Sequence, residues 1–175
     1  MVIGTIEARK NHVLLLRVWA QLAETMGDAC PDLVVIGQRG WEANDAFSLL
    51  DMARHVHGRV LELGQRDDPT RCAWLNGARA LLMPSFVEGF GLPVIEALQR
   101  HVPVIASDLP VFHEIAGDIP RYCDPHDTLA WADAIAAYCG NHPDRNRQIE
   151  RTASFLAPTW ACHFRALDIW LRAFA

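Results

Sequence analysis

The feature that most constrains this chain is an alternation. Short apolar runs are each followed by a longer stretch with helical spacing. Residues 2–6, 33–37, 60–63, 80–84 and 102–107 read as strands, and 121–123 as a last, edge strand. Several of these runs are apolar on consecutive positions, as expected of strands buried on both faces. Helical patterns fill the gaps at 11–26, 42–56, 68–76, about 93–100 and 110–116. Asn11 is the expected cap of the first, and Asp68-Pro69 the cap and first position of the third. Helices at 127–139, 143–156 and 160–174 complete the chain, and Ala157-Pro158-Thr159 sets the last one off to pack separately. Strands separated by helices imply βαβ units: an α/β, doubly wound parallel sheet with helices on both faces.

Length and charge narrow the class. The 175 residues suit one domain. Lys and Arg number 16 against 21 Asp and Glu, a net charge of −5 that argues against a general nucleic-acid binder. With 51% hydrophobic and 21% charged residues, the chain can build a core and is not disordered. Its longest uncharged apolar runs, such as 33–37 and 80–86, are five to seven residues. A membrane span needs about 20. Residues 1–7 lack the pattern of a signal peptide. The chain opens directly in a strand, the start expected of a piece of a longer protein. Five cysteines, an odd number without a C-x-x-C pair, suggest free thiols in a reducing cytoplasm. The eight histidines form no ligand pattern, and neither His113-Glu114 nor the pair His55 and His57 is expected to hold a metal.

The chemistry concentrates after the fourth strand, in Pro84-Ser85-Phe86-Val87-Glu88-Gly89-Phe90-Gly91-Leu92-Pro93-Val94-Ile95-Glu96. Ligands of open α/β sheets bind beyond the carboxyl ends of strands. A helix start offers free N–H groups and a positive dipole end to an anion. Gly89 and Gly91 allow close approach, while Glu88 and Glu96 suit paired sugar hydroxyls. Together these suggest a phosphate-plus-polyol ligand. The alternative is a plain strand-to-helix turn, with Glu88 as a cap and Glu96 as a solvated residue. A second loop, Gly4-Thr5-Ile6-Glu7-Ala8-Arg9-Lys10-Asn11, also lies between strand and helix, and Arg9 and Lys10 suit phosphate. Two weaker candidates follow the second and third strands: Gly37-Gln38-Arg39-Gly40-Trp41, and Leu63-Gly64-Gln65-Arg66-Asp67-Asp68, which could hold a base edge. No G-x-G-x-x-G run of nicotinamide enzymes occurs.

The stretch from Glu88 to Glu96 resembles the E-x7-E signature of retaining GT-B-fold glycosyltransferases of the family 4, or group 1, type. The opening loop, the strand at 33–37, Val102-Pro-Val-Ile-Ala-Ser-Asp108 and His113-Glu-Ile-Ala-Gly117 resemble further blocks of that family. The resemblance covers residues 2 to about 140, more loosely to the end. Two departures stand out: Thr5 where many members carry arginine, and His113 where proline is common.

The resemblance implies a Rossmann-like domain, the C-terminal, donor-binding half of a two-domain enzyme whose N-terminal acceptor domain is absent. Residues 1–175 would form that single nucleotide-sugar-binding domain, with C-terminal helices over about 127–175. By position, Lys10 would meet the donor diphosphate with help from Arg9, and Glu88 would bind and steady the reacting sugar. Backbone amides of Gly89, Phe90, Gly91 and Leu92 would hold sugar and phosphate oxygens, and Glu96 the ribose hydroxyls. Gly37 and Arg66 complete the expected substrate contacts. No cofactor or metal is implied, since lysine, arginine and the helix dipole neutralise the leaving diphosphate.

The implied reaction is retaining transfer of a hexose from a nucleoside-diphosphate sugar to a glycan or lipid-linked acceptor, in polysaccharide or lipopolysaccharide synthesis. Arg9-Lys10-Asn11 with Gly40-Trp41 resembles mannosyltransferase-like members of the family, and that resemblance implies GDP-mannose ahead of UDP- and dTDP-sugars. The expected location is the cytoplasm, with peripheral association at the inner face of a bacterial membrane left open. The chain alone is expected to bind a nucleoside diphosphate without transferring sugar. The rival reading is a non-catalytic nucleotide-sugar-binding or regulatory module of the same fold, against which intact Lys10, Glu88 and Glu96 count. A sugar-nucleotide epimerase is disfavoured by the E-x7-E loop.

Overall fold

The computed structural model describes residues 1–56 and 58–174. His57, and with it the reading of His55 and His57, lies outside the described residues. The strands are β1 (Val2–Ile3), β2 (Leu33–Ile36), β3 (Val60–Gly64), β4 (Leu81–Met83), β5 (Val104–Ser107) and β6 (Arg121–Cys123). The helices are α1 (His12–Met26), α2 (Asn44–Val56), α3 (Asp68–Gly77), α4 (Leu92–Gln99), α5 (Pro110–Ala116), α6 (Thr128–Cys139), α7 (Pro143–Thr152) and α8 (Trp160–Arg172).

All ladders are parallel, and they form two triplets: β1-β2-β3 and β4-β5-β6. The triplets meet along β1 and β4. Leu82 N–H donates to the Met1 carbonyl at 2.8 Å, and the Met1 amine donates to the Ala80 carbonyl at 3.1 Å. The strand order is therefore β3-β2-β1-β4-β5-β6, the doubly wound arrangement of Rossmann-type folds. The chain reverses its winding direction between β1 and β4. That switch point is where such sheets open a crevice for ligand.

Alternate strand residues feed two cores, as the period of two requires. Val2, Leu33, Val35, Leu82 and Ile105 face a core built with α1, α2 and α6, including Leu15, Trp19, Leu50 and Trp131. Ile3, Ile36, Leu81, Met83, Val104 and Ala106 face the other, with Leu75 of α3, Val94 and Leu98 of α4 and Phe112 of α5. Both faces of the sheet are thus covered by helices. The buried Gln148 of α7 pins the amino end of β5, accepting from Val104 N–H at 2.8 Å and donating to the Val104 carbonyl at 2.9 Å.

Local departures from the sequence reading have identifiable causes. The expected first strand breaks at Gly4, whose φ is +139°, and pairing resumes as a single bridge between Ile6 and Arg39. Asn11 does precede α1, but in a left-handed conformation and without a side-chain cap. The third helix is capped by Asp67, not Asp68, whose carboxylate accepts from Thr70 N–H at 3.0 Å. Helix α7 stops at Thr152, short of the expected 156. Helix α8 forms as expected yet is exposed along its whole length. Among the described residues no helix is long and apolar enough to cross a membrane.

Candidate functional site

Two loops meet beyond the carboxyl ends of β1 and β4, and their backbones are tied together. Phe86 N–H donates to the Arg9 carbonyl at 2.8 Å. The Asn11 side-chain amide donates to the Pro84 carbonyl at 3.1 Å and to the Pro125 carbonyl at 2.9 Å. One asparagine thereby joins the loops after β1, β4 and β6. It serves the site rather than the helix start, which explains its missing cap bond. The third loop also brings the His126 ring onto Phe86, with centroids 5.0 Å apart.

The cluster that results is centred on Glu88. Its side chain is only 5% exposed. Oε1 accepts from Lys10 Nζ and from the Ser85 hydroxyl at 2.7 Å, while Oε2 accepts from Arg9 Nη1 at 3.2 Å. Arg9 also reaches the Val87 carbonyl at 3.3 Å and the buried Glu7 carboxylate at 2.6 Å. A carboxylate removed from water is tolerated only when its lone pairs are met, and here cations and a hydroxyl meet them. Two cations and two carboxylates leave the cluster formally neutral. Lys10 is 12% exposed and held in place. Arg9 is 44% exposed and has room to turn toward an incoming anion.

The loop after Glu88 then turns into α4 at Gly91. Its φ is +86°, and a Cβ there would stand 2.8 Å from Phe112 Cε1 and 3.1 Å from Ile115 Cδ1. Glycine is needed both for the left-handed turn and for this contact with α5. Pro93 carries no N–H and Val94 N–H donates to the Gly91 carbonyl at 2.9 Å, so the amides offered at this end are those of residues 89–92, where the helix dipole favours negative charge. Gly89, Phe90 and Leu92 are exposed there, as an anion-binding loop requires. Glu96 lies further along α4, 28% exposed, with Oε1 3.3 Å from Arg71 Nη2 of α3.

The remaining expected contacts are placed differently. A Cβ at Gly37 would stand 1.8 Å from the Gly4 carbonyl oxygen, so the structure gives that glycine a packing role between β1 and β2. Arg66 is exposed, and its guanidinium reaches only the neighbouring Gln65 carbonyl, at 3.0 Å. Arg39 of the same loop region is committed to Glu62 at 2.8 Å and Asp51 at 2.6 Å. Spacing missed Glu7, Ser85, Arg71 and His126. Ser85 was within reach of detection, three residues before Glu88 across a turn. Glu7, two residues before Arg9, was equally near, whereas Arg71 and His126 meet the site only through tertiary folding.

A cavity of about 750 Å³ opens elsewhere, bordered by Met1, Trp19, Trp74, Ala80, Leu82 and Tyr138. Met1, Ala80 and Leu82 place it at the amino ends of β1 and β4, and its lining includes one arginine, Arg79, and one aspartate, Asp32. Volume alone would favour this cavity; charge and topology favour the carboxyl edge. Among the described residues no three His, Cys, Asp or Glu side chains are grouped so that they could hold a metal ion.

Comparison with known proteins places the chain in a family and a fold. The family profile described as glycosyl transferases group 1 matches residues 1–155. The O-antigen chain mannosyltransferase B of Escherichia coli is 36% identical over 136 residues, covering 78% of this chain and 34% of that protein. The serotype-specific mannosyltransferase WbdA of Escherichia coli is 36% identical over 168 residues, covering 89% of this chain and 20% of that protein. The crystal structure of TarM superposes with a TM-score of 0.73 at 21% identity, covering 99% of this chain and 34% of that one. The chain thus spans between a fifth and about a third of the length of these proteins.

Proposed function

The chain belongs to the group 1 glycosyl transferases, and on that premise we propose that it forms the donor-binding part of a retaining hexosyltransferase. The donor is a nucleoside-diphosphate sugar, GDP-mannose before UDP- or dTDP-sugars. The acceptor is a glycan or lipid-linked sugar in the synthesis of a surface polysaccharide or lipopolysaccharide. The mannosyltransferases among the relatives support the choice of sugar. The observation that carries the reading is the convergence of Lys10, Arg9 and Glu88 with the start of α4 at the switch point of the sheet.

In this reading the donor diphosphate lies against Lys10 and the backbone amides of Gly89, Phe90, Gly91 and Leu92 at the start of α4. Arg9 turns from Glu88 and Glu7 toward it. Released in part from its cations, Glu88 accepts hydroxyls of the sugar and fixes the ring while the anomeric bond to diphosphate breaks. Positive charge develops on the ring and negative charge on the departing phosphate. Lysine, arginine and the helix dipole stabilise the latter in place of a metal ion. The acceptor hydroxyl attacks from the same face, and the leaving phosphate takes its proton. Glu96 holds the ribose hydroxyls. The protein works in the cytoplasm, and its acceptor brings it to the inner face of the membrane.

Calorimetric titration with GDP, UDP and dTDP tests the reading. The expected result is binding of a nucleoside diphosphate, GDP tightest, weakened at least tenfold in both Lys10→Ala and Glu96→Ala. Equal binding by wild type and both variants overturns it.

A further inference from the structure

The geometry points to Arg71 as a positioning residue that holds Glu96 in the orientation a ribose diol requires. Arg71 lies on α3, one turn beyond the Asp67 cap, and reaches α4 across the helix–helix gap. Its Nη2 is 3.0 Å from Asp68 Oδ1 and 3.3 Å from Glu96 Oε1. The side chain is 26% exposed. Its Nε is buried and has no hydrogen-bond partner. An unmet buried donor is costly. The side chain is therefore not placed here to satisfy its own polar atoms. The structure tolerates that orphan while Nη2 spans two carboxylates.

Asp68 is almost fully exposed, so its share of the pairing is weak. The partner that gains is Glu96. One of its oxygens, Oε1, is engaged by Arg71, and Oε2 makes no hydrogen bond among the described residues. A glutamate left free would sample several rotamers and would lose that freedom on binding. Held at Oε1 by Nη2 of the guanidinium, it presents Oε2 at a fixed place. A vicinal diol then meets an acceptor already in position. This inference rests on the proposed role of Glu96 toward ribose. It adds that α3, and not α4 alone, sets the nucleotide subsite.

The test compares three ligands on wild type, Arg71→Ala, Arg71→Lys, Glu96→Ala and the double variant Arg71→Ala/Glu96→Ala. The ligands are GDP, 2′,3′-dideoxy-GDP and inorganic pyrophosphate, with Kd read by calorimetry. Arg71→Ala should weaken GDP about five- to tenfold, leaving dideoxy-GDP and pyrophosphate within about twofold of wild type. Arg71→Lys should recover part of the loss. The double variant should bind GDP no more weakly than Glu96→Ala. Unchanged pyrophosphate binding reports an intact phosphate subsite in each variant. Wild-type GDP binding by Arg71→Ala, with loss in Glu96→Ala, overturns the inference and leaves the site reading standing. A loss by Arg71→Ala that persists with dideoxy-GDP also overturns it, because the arginine then acts without the diol. Unaltered GDP binding by Glu96→Ala removes the proposed ribose contact itself.

Discussion

Glu88 and Glu96 lie eight residues apart in one loop and helix, yet they stand in opposite physical states. Glu88 is 5% exposed and bonded by Lys10, Arg9 and Ser85. Glu96 is 28% exposed and touches one guanidinium through one oxygen. The first is part of the framework that joins the β1 and β4 loops. The second is held from one side and open on the other. A motif written as two equal glutamates therefore hides two environments, and the proposed function assigns them two tasks: organising charge at the reacting centre to Glu88 and recognising the ribose to Glu96.

The largest expected difference is in turnover. In the full-length enzyme Glu88→Gln should lower kcat about 100-fold or more, because it removes charge at the reacting centre. Glu96→Gln should mainly raise KM for the donor, by about tenfold, with kcat little changed. Equal losses in kcat for both would break the comparison.

Stability should separate them next. Lys10→Ala leaves the buried Glu88 short of its main cation and should cost about 2 kcal/mol. Glu96→Ala should stay within about 0.5 kcal/mol of wild type, as surface changes do. Urea unfolding with a common m-value measures both.

A pH-dependent effect also belongs to the Glu88 side. His12 follows Asn11 into α1, is buried and has no partner for either ring nitrogen. Burial first, and Lys10 second, push its pKa down from 6.5 to about 4. The folded protein keeps it neutral while the unfolded chain takes up a proton below pH 6.5. Stability should therefore fall as pH drops from about 6.5 toward 4 and lose nothing more from this group below that. A pH series of melting temperatures should show this slope reduced in His12→Phe. The same slope in that variant would remove His12 from the account. The least effect is expected at the Arg71–Glu96 pair, where Arg71→Ala should cost less than about 1 kcal/mol in the same urea assay.

The sequence disclosed what depends on nearest neighbours. Apolar runs and helical spacing located the elements, and proline, glycine and carboxylate signals placed most helix starts to within a residue or two. Arg9, Lys10 and Glu88 were legible because each lies in a loop after a strand, and the structure brings them into contact. The strand order was not legible. It depends on the seam where Leu82 meets Met1 and Ala80, residues about 80 positions apart. Asn11 illustrates the same limit. Its type and place suggested a helix cap, but its left-handed backbone and the bonds from its Nδ2 to the Pro84 and Pro125 carbonyls orient the side chain across the loops instead. Gly37 was read as a ligand contact, and the structure adds a packing demand the sequence did not disclose: the Gly4 carbonyl stands where its Cβ would be. Arg71 carries no local signal, since its partner lies 25 residues on, on another helix.

The central claim is that the donor nucleotide binds at the carboxyl edge of the sheet and not in the apolar cavity at its amino edge. Amide chemical shifts of the protein, followed during titration with GDP, test it most directly. The account predicts that the largest changes fall in residues 4–11 and 85–96. Changes confined to Trp19, Trp74, Leu82 and Tyr138 around the amino-edge cavity would contradict it.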